Sequence, residues 1–412
     1  MPAYLLKCIR CGREFTAEQT DYVCLACGIG GNLDVVFDLD CIARNFSREA
    51  LKQNRDYSIW RYLPLLPLAE GARTTSLPVG WTPLVNCPAL ARRSGIQQLW
   101  IKDDSRNPTA SLKDRASALC IPKALERGAR VITCASTGNA ASSLAGACAN
   151  IGLDAVIFVP ERASLPKIAQ LLLFGAKLIR LRASYDMAYD LSLEATARYG
   201  WYSRNSGYNP YLGEGKKTAA LEICEQLEWN APDYIFVPVG DGCILGGVWK
   251  GLCDLHALGW IERRPRLIAV QAEGASPVVR AFAGNAEIVP VEPFTLADGI
   301  AVGNPRDGLK ALRALRESEG QAVSVSDNEI REALRRLPRE TGIFVESAAA
   351  AAYAGFLKLT AAGRLPAEAR VVLLMTGSGL KDIDTAVGSV TIPEAVEPDL
   401  KTIFDARGAI AR

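Results

Sequence analysis

Three times this chain runs a nearly wholly apolar strand into a loop of small or polar residues. Tyr234–Val239 (YIFVPV) leads into Gly240, Asp241, Gly242 and Cys243, and then toward a helix; Val131–Ala135 (VITCA) leads into Ser136, Thr137, Gly138 and Asn139 and an alanine-rich helix; Val371–Met375 ends in Thr376-Gly377-Ser378-Gly379. Strands without polar alternation are buried on both faces, which is the signature of parallel sheets covered by helices. Further strands at 155–160, 177–181 and 267–273 alternate with helical patterns at 167–175, 219–227, 327–340 and 346–359. This alternation predicts an α/β fold with parallel sheets and helices on both faces. Residues 201–218 read as a long polar loop and 283–308 as an irregular excursion. Residues 45–80 read as a connecting arm, with Ile59-Trp60-Arg61-Tyr62 as an anchoring patch.

Chemistry concentrates at Asn107–Arg115, which reads NPTASLKDR. Pro108 keeps the entry extended. Ser111 is the expected N-cap of a helix, with Asp114 three residues on. Lys113 then lies at the positive end of that helix, a placement that favours the free amine a Schiff-base lysine needs. Asp103 and Asp104, at the end of a short strand, read as acids that make turn hydrogen bonds.

Two other loops read as anion sites. In Gly240–Gly247 the glycines let the main chain close around a phosphate with its N–H groups inward. No lysine–serine pair follows, so it is not a nucleotide P-loop. The Ser136–Asn139 loop presents N–H groups at a helix start, but it lacks the GxGxxG spacing of a dinucleotide site.

Cys8-x2-Cys11 and Cys24-x2-Cys27 form two knuckles twelve residues apart, each followed by a glycine. Four soft ligands so arranged fit a closed tetrahedral zinc ribbon that stabilises folding and does no chemistry. The remaining eight of the twelve cysteines sit largely in apolar segments, which fits a reducing cytoplasm. Net charge is +2 over 412 residues, which gives no electrostatic footprint for nucleic acid or an anionic membrane. No signal peptide or bilayer-spanning run is read. The single histidine, His256, reads as a surface residue, which excludes a His-centred mechanism.

Taken in order, GWTPL (80–84), NPTASLKDR, STGNAA (136–141), VGDGCILGG (239–247) and TGSGLKD (376–382) resemble the fold-type II pyridoxal-phosphate enzymes and, within them, the threonine synthase family. The resemblance covers nearly the whole chain, ribbon included. It implies a tryptophan-synthase-β-like α/β architecture of two open parallel-sheet domains with the cofactor between them: a zinc ribbon (1–40), a large domain (41–115 and 206–412) and a small domain (116–205). It further implies that Lys113 carries the cofactor, that Asn139 hydrogen-bonds its ring hydroxyl, and that Thr376 faces its pyridine nitrogen. The backbone of Gly240, Asp241, Gly242, Cys243 and Ile244 would cradle its phosphate, and Ser136 and Thr137 would hold the substrate carboxylate.

The implied reaction is conversion of O-phospho-L-homoserine and water to L-threonine and phosphate in a cytoplasmic homodimer. β-Replacement or elimination on O-phosphoserine, or threonine dehydration, is the alternative. The family's substrate-phosphate segment, NS-x-NP-x-R-x-EG-x-KT, matches Asn205, Ser206, Asn209, Pro210, Glu214, Gly215, Lys217 and Thr218. This chain has one additional residue there, and its arginine position reads Leu212 or Gly213. Arg204, Lys216 and Lys217 are the candidates to replace that arginine as point charges.

Overall fold

The computed structural model describes residues 4–136, 138–161, 165–395 and 398–399. The amino-terminal ribbon is a four-stranded antiparallel sheet, β1 (Tyr4–Cys8), β2 (Glu14–Phe15), β3 (Val23–Cys24) and β4 (Gly28–Phe37), in the order β2-β1-β4-β3. The chain then builds two further sheets. The larger contains β5 (Leu84–Asn86), β6 (Gln98–Asp103), β11 (Tyr234–Pro238), β12 (Arg266–Ala272), β13 (Gln321–Val325) and β14 (Arg370–Met375), in the order β13-β12-β11-β14-β6-β5. All its pairs are parallel except β5 against β6 at one edge. The smaller is wholly parallel, β10-β7-β8-β9, from β7 (Val131–Ala135), β8 (Asp154–Pro160), β9 (Lys177–Leu181) and β10 (Tyr202–Ser203).

The helices that position the site or cover the sheets include α1 (Lys113–Glu126), α2 (Asn139–Ile151), α3 (Tyr185–Tyr199), α4 (Tyr211–Gln226), α5 (Cys243–Ala257), α6 (Asp327–Thr341) and α7 (Ser347–Ala361). Helix α6 opens with a reciprocal Ser326–Glu329 capping box. Helix α7 buries an uninterrupted alanine run against the large sheet. Small side chains let a helix approach a sheet closely, which explains why this helix carries so little hydrophobic periodicity.

The expected long loop at 201–218 is mostly regular structure. Strand β10 occupies its start, and α4 begins at Tyr211 behind Pro210, whose φ of −66° suits a helix entrance. Gly215, which reads as a loop signal, serves helix packing instead. A Cβ on Gly215 would lie 2.2 Å from the Arg115 carbonyl oxygen, so α4 and α1 cross where only glycine fits.

That crossing surrounds a buried charge cluster. Arg115 binds Asp104 through Nε and Nη2 at 2.7 and 2.8 Å, and Glu222 through Nη2 at 2.8 Å; Lys102 reaches Glu222 at 2.7 Å. Thr82 joins through its hydroxyl, which donates to Asp104 at 2.6 Å. The Asp104 carboxylate thus serves an ion pair and not the turn, whereas Asp103 does make the expected turn bonds, to Ser105. The 59–62 patch is an anchor as expected: it lies in a 3-10 turn, with Arg61 paired to Glu225 at 2.5 Å.

The ribbon packs on the segment between β10 and α4. Tyr22 stacks on Tyr208 with ring centroids 4.6 Å apart, and its hydroxyl accepts the Ser203 N–H at 3.0 Å. Asn32 Nδ2 donates to the carbonyls of Gly207 (2.7 Å) and Arg306 (2.9 Å), and Asp34 pairs with Lys310 at 3.0 Å.

Candidate active site

The carboxyl ends of β7, β11 and β14 converge on a cavity of about 470 Å³ between the two parallel sheets. Crevices outside the carboxyl ends of parallel strands are where such sheets bind ligands. Lys113, Ser136, Asn139, Asn205, Ser206, Gly240–Ile244 and Thr376 all line it. Thr137 lies outside the described residues.

Lys113 is the first residue of α1. Its loop is stitched to the β14 loop: the Leu112 N–H donates to the Thr376 carbonyl at 2.9 Å, and the Ser378 N–H to the Ala110 carbonyl at 3.0 Å. Ala110 takes a positive φ of 64° in the turn between them. Ser111 is not the helix cap. Its hydroxyl is buried without a partner, and its backbone bridges Gly377 instead. Asp114 turns back to Thr109, accepting that residue's N–H at 2.7 Å. No carboxylate among the described residues pairs with Lys113. Burial pushes its ammonium below the usual lysine range; Cys243 opposes this, Lys216 and Arg204 reinforce it, and Glu346 opposes it again. The physical outcome is an amine held ready to act as a nucleophile or base.

Asn139 opens α2 and donates through Nδ2 to both oxygens of Glu346, at 2.9 and 2.8 Å. Burial raises the Glu346 carboxyl, against the opposing effects of Asn139, Lys113 and Lys381. Glu346 is a cavity residue that the sequence reading missed. It stands at the start of a helix that reads as an ordinary alanine-rich packing helix, and no local spacing ties it to Asn139, 207 positions away.

At the other end, Gly242 (φ +89°) ends its loop at the start of α5, whose opening turn has no side-chain cap. A helix start leaves its first N–H groups free, so this end presents amide donors and a positive dipole to the cavity. A Cβ on Gly242 would meet the Asp307 carbonyl at 2.8 Å, and one on Gly240 would lie 3.0 Å from Val302. The Asp241 carboxylate accepts the Arg306 N–H at 3.1 Å.

On the small-sheet side, the Ser136 hydroxyl accepts the Gly138 N–H at 3.2 Å. The Asn205 amide is committed internally: its oxygen accepts the Ala135 N–H at 2.9 Å and its nitrogen donates to Ser192 at 2.8 Å. Lys217 is not brought to the cavity. Its ammonium is fully buried, paired with Glu214 and with Asp254 (2.8 Å), and lies over the Phe37 ring of the ribbon.

Residues 75–377 match the family described as pyridoxal-phosphate dependent enzyme. The chain belongs to the pyridoxal-phosphate dependent enzyme family. Within it, the chain is 39% identical over 402 residues to a threonine synthase of Methanocaldococcus jannaschii, across 97% of this chain and 98% of that one. It is likewise 39% identical over 406 residues to a threonine synthase of Methanosarcina acetivorans, across 98% of both chains. Diaminopropionate ammonia lyase from Escherichia coli shares the fold, with a TM-score of 0.67 at 22% identity over 84% of this chain and 92% of that one. The cavity of this pyridoxal-phosphate enzyme suits the cofactor chemically. It offers an unpaired, half-buried lysine for an aldehyde, an uncapped helix start behind two glycines for a phosphate, and a carboxamide and a hydroxyl for the polar atoms of a ring.

The second candidate site is the ribbon. The sulfur atoms of Cys8, Cys11, Cys24 and Cys27 all lie within 4.8 Å of one another, close enough for one tetrahedral ion with metal–sulfur bonds of about 2.3 Å. Cys8→Ser is expected to release one metal equivalent per chain and to lower thermal stability by about 2 kcal/mol. Metal analysis and a melting curve check this; unchanged metal content in the variant contradicts the assignment.

Proposed function

We propose that this chain converts O-phospho-L-homoserine and water to L-threonine and phosphate, with pyridoxal phosphate in the inter-sheet cavity and zinc in the ribbon. The observation that carries the reading is the 39% identity, end to end, with chains named threonine synthase. The proposed division is a ribbon (1–40), a large cofactor-binding domain (41–115 and 206–412) and a small domain (116–205). A cytoplasmic homodimer belongs to the same reading; buried unpaired cysteines such as Cys120, Cys134 and Cys224 support the compartment, and family analogy the dimer.

When bound, the cofactor supplies an electron sink for negative charge developing at the substrate α-carbon. Each protein group then has a defined task. Lys113 would hold the cofactor through its aldehyde, and its amine is placed to carry protons between substrate carbons. Its burial shifts the amine toward the unprotonated form that both tasks use. The amide N–H groups of Gly240–Ile244, including that of Asp241, hold the cofactor phosphate. Asn139, oriented by Glu346, meets the ring hydroxyl, and Thr376 offers a neutral hydroxyl to the ring nitrogen. Ser136 and Thr137 take the substrate carboxylate. Asn205 braces the end of β7 beside them and Ser206 faces the departing phosphate. Lys217 has no task here, because two carboxylates already occupy it.

The test is a substrate panel read for phosphate, ammonia and threonine. Equimolar phosphate and threonine from O-phosphohomoserine is the expected result. Phosphate from O-phosphoserine alone, or ammonia from threonine alone, replaces the proposal with the β-replacement or dehydratase reading.

A further inference from the structure

Of the TGSGLKD block at 376–382, Thr376 lines the cavity and Lys381 does not. Lys381 instead crosses from the end of the large sheet to the helices of the small one. Its ammonium donates to the Thr109 carbonyl at 2.8 Å, to the Ser142 hydroxyl at 2.7 Å and to the Gln170 side-chain oxygen at 3.4 Å. Ser142 lies on α2, and Gln170 on the helix Leu165–Leu173 between β8 and β9. An ammonium has three donors, and here each goes to a different segment of the chain. Among the described residues it forms no ion pair; Glu346 and Asp114 are the acids whose charge it feels.

Two short chains of bonds lead from this ammonium to Asn139 and to the Lys113 loop. In the first, the Ser142 hydroxyl donates onward to the Asn139 carbonyl at 3.3 Å. In the second, Thr109, whose carbonyl Lys381 holds, gives its N–H to Asp114 at 2.7 Å, and Asp114 follows Lys113 directly. Thr109 also packs against α2, since a Cβ on Gly146 would lie 2.8 Å from its Cγ2. The neighbouring Asp382 holds a third point: it accepts the Ser347 N–H at 3.2 Å at the start of α7, next to the Glu346 that Asn139 grips. Two other ties cross the cleft, Lys167–Asp298 and Arg306–Asp186, but their acids are exposed, and such pairs contribute little. Ordering a lysine side chain costs conformational entropy. One acid would hold its charge at one point, whereas three neutral acceptors on three segments fix those segments relative to each other.

We infer that Lys381 is a positioning residue of the reaction: it sets Asn139 and Lys113 in register across the cleft, so that one meets the ring hydroxyl while the other holds the cofactor aldehyde. The inference rests on the proposed placement of the cofactor between those two residues. Lys381 itself touches neither cofactor nor substrate and acts through Ser142 and Thr109.

Holoenzyme carrying Lys381→Met or Lys381→Arg tests this, read by kcat and KM for O-phosphohomoserine, by the visible absorbance band of the bound cofactor and by melting temperature. The methionine variant is expected to lose about 10- to 100-fold in kcat with KM within about threefold, because a misplacement of about 1 Å carries a penalty of that order. Its band should shift, because the partner of the ring hydroxyl tunes the ring. The arginine variant keeps charge and donors and should regain most of both. Lys381→Met protein that loads cofactor and keeps the wild-type kcat or the wild-type band overturns the inference, even where its melting temperature falls. Ser142→Ala cuts the chain to Asn139 alone; it should shift the band in the same direction, and it decides in the same way where Lys381→Met does not fold. A borohydride adduct on another lysine overturns the cofactor placement and this inference with it, whereas an adduct on Lys113 with an unchanged band overturns this inference alone. Wild-type enzyme inert toward O-phosphohomoserine overturns the substrate reading, and the band then decides for Lys381.

Discussion

Lys113→Ala is expected to lower turnover by at least about 10³-fold while leaving the fold intact, because one amine performs both the covalent attachment and the proton transfers. The structure separates these consequences cleanly. The Lys113 side chain pairs with no carboxylate among the described residues, and the loop around it is held by main-chain bonds to Thr376 and Ser378 that alanine retains. Removing a half-buried amine that pairs with no acid therefore costs little stability, and the melting temperature should stay within a few degrees of wild type. In the wild type, borohydride reduction of the holoenzyme followed by peptide mapping should find the cofactor adduct on Lys113. An alanine variant turning over at the wild-type rate, or an adduct on another lysine, removes the assignment.

Arg115→Met should be the most damaging single substitution for stability, at about 3–5 kcal/mol, because it leaves buried acids without their partner. Arg115, Asp104, Glu222 and Lys102 are all fully buried, so methionine strands Asp104 and leaves only Lys102 against Glu222. The pH dependence gives a second signature. Burial pushes the Glu222 carboxyl up, but Arg115 and Lys102 outweigh it and hold the group down at about 2. Its folded value thus lies below its unfolded value, near 4.5. The stabilisation is complete above that unfolded value and is lost as pH falls toward 2. Wild-type stability should decline through this window, and the variant should decline less, having lost much of the pairing already. Chemical denaturation at several pH values reads both effects; equal stability of the two proteins at neutral pH contradicts the account.

What was legible in the sequence follows the range of the interactions. The apolar runs at 131–135, 234–238 and 371–375 announce strands because burial on both faces leaves no other pattern, and the loops after them announce a ligand cleft. Strand β13 was missed because at an edge it is only half-buried, with a polar residue at each of Gln321 and Ser324. Helix α4 was read short because Gly215 answers to Arg115 at a helix crossing that exists only after folding. The same reason hides Glu346, whose partner is distant in the chain, and explains Lys217, which matched a motif yet is claimed by Glu214 and Asp254. Leu212, one of the two residues at the family's arginine position, is buried in the same hydrophobic cluster as Ile132 and Cys134.

The ribbon's grip on Ser203, Gly207 and Arg306 makes the four-cysteine cluster more than a local staple. Those three points frame both banks of the cleft, since Gly207 follows Ser206 and Arg306 abuts the Asp241 loop. Loss of an ion held by the four cysteines would therefore reach catalysis in an enzyme whose chemistry never touches that ion, as a doorway warps when the lintel is pulled out.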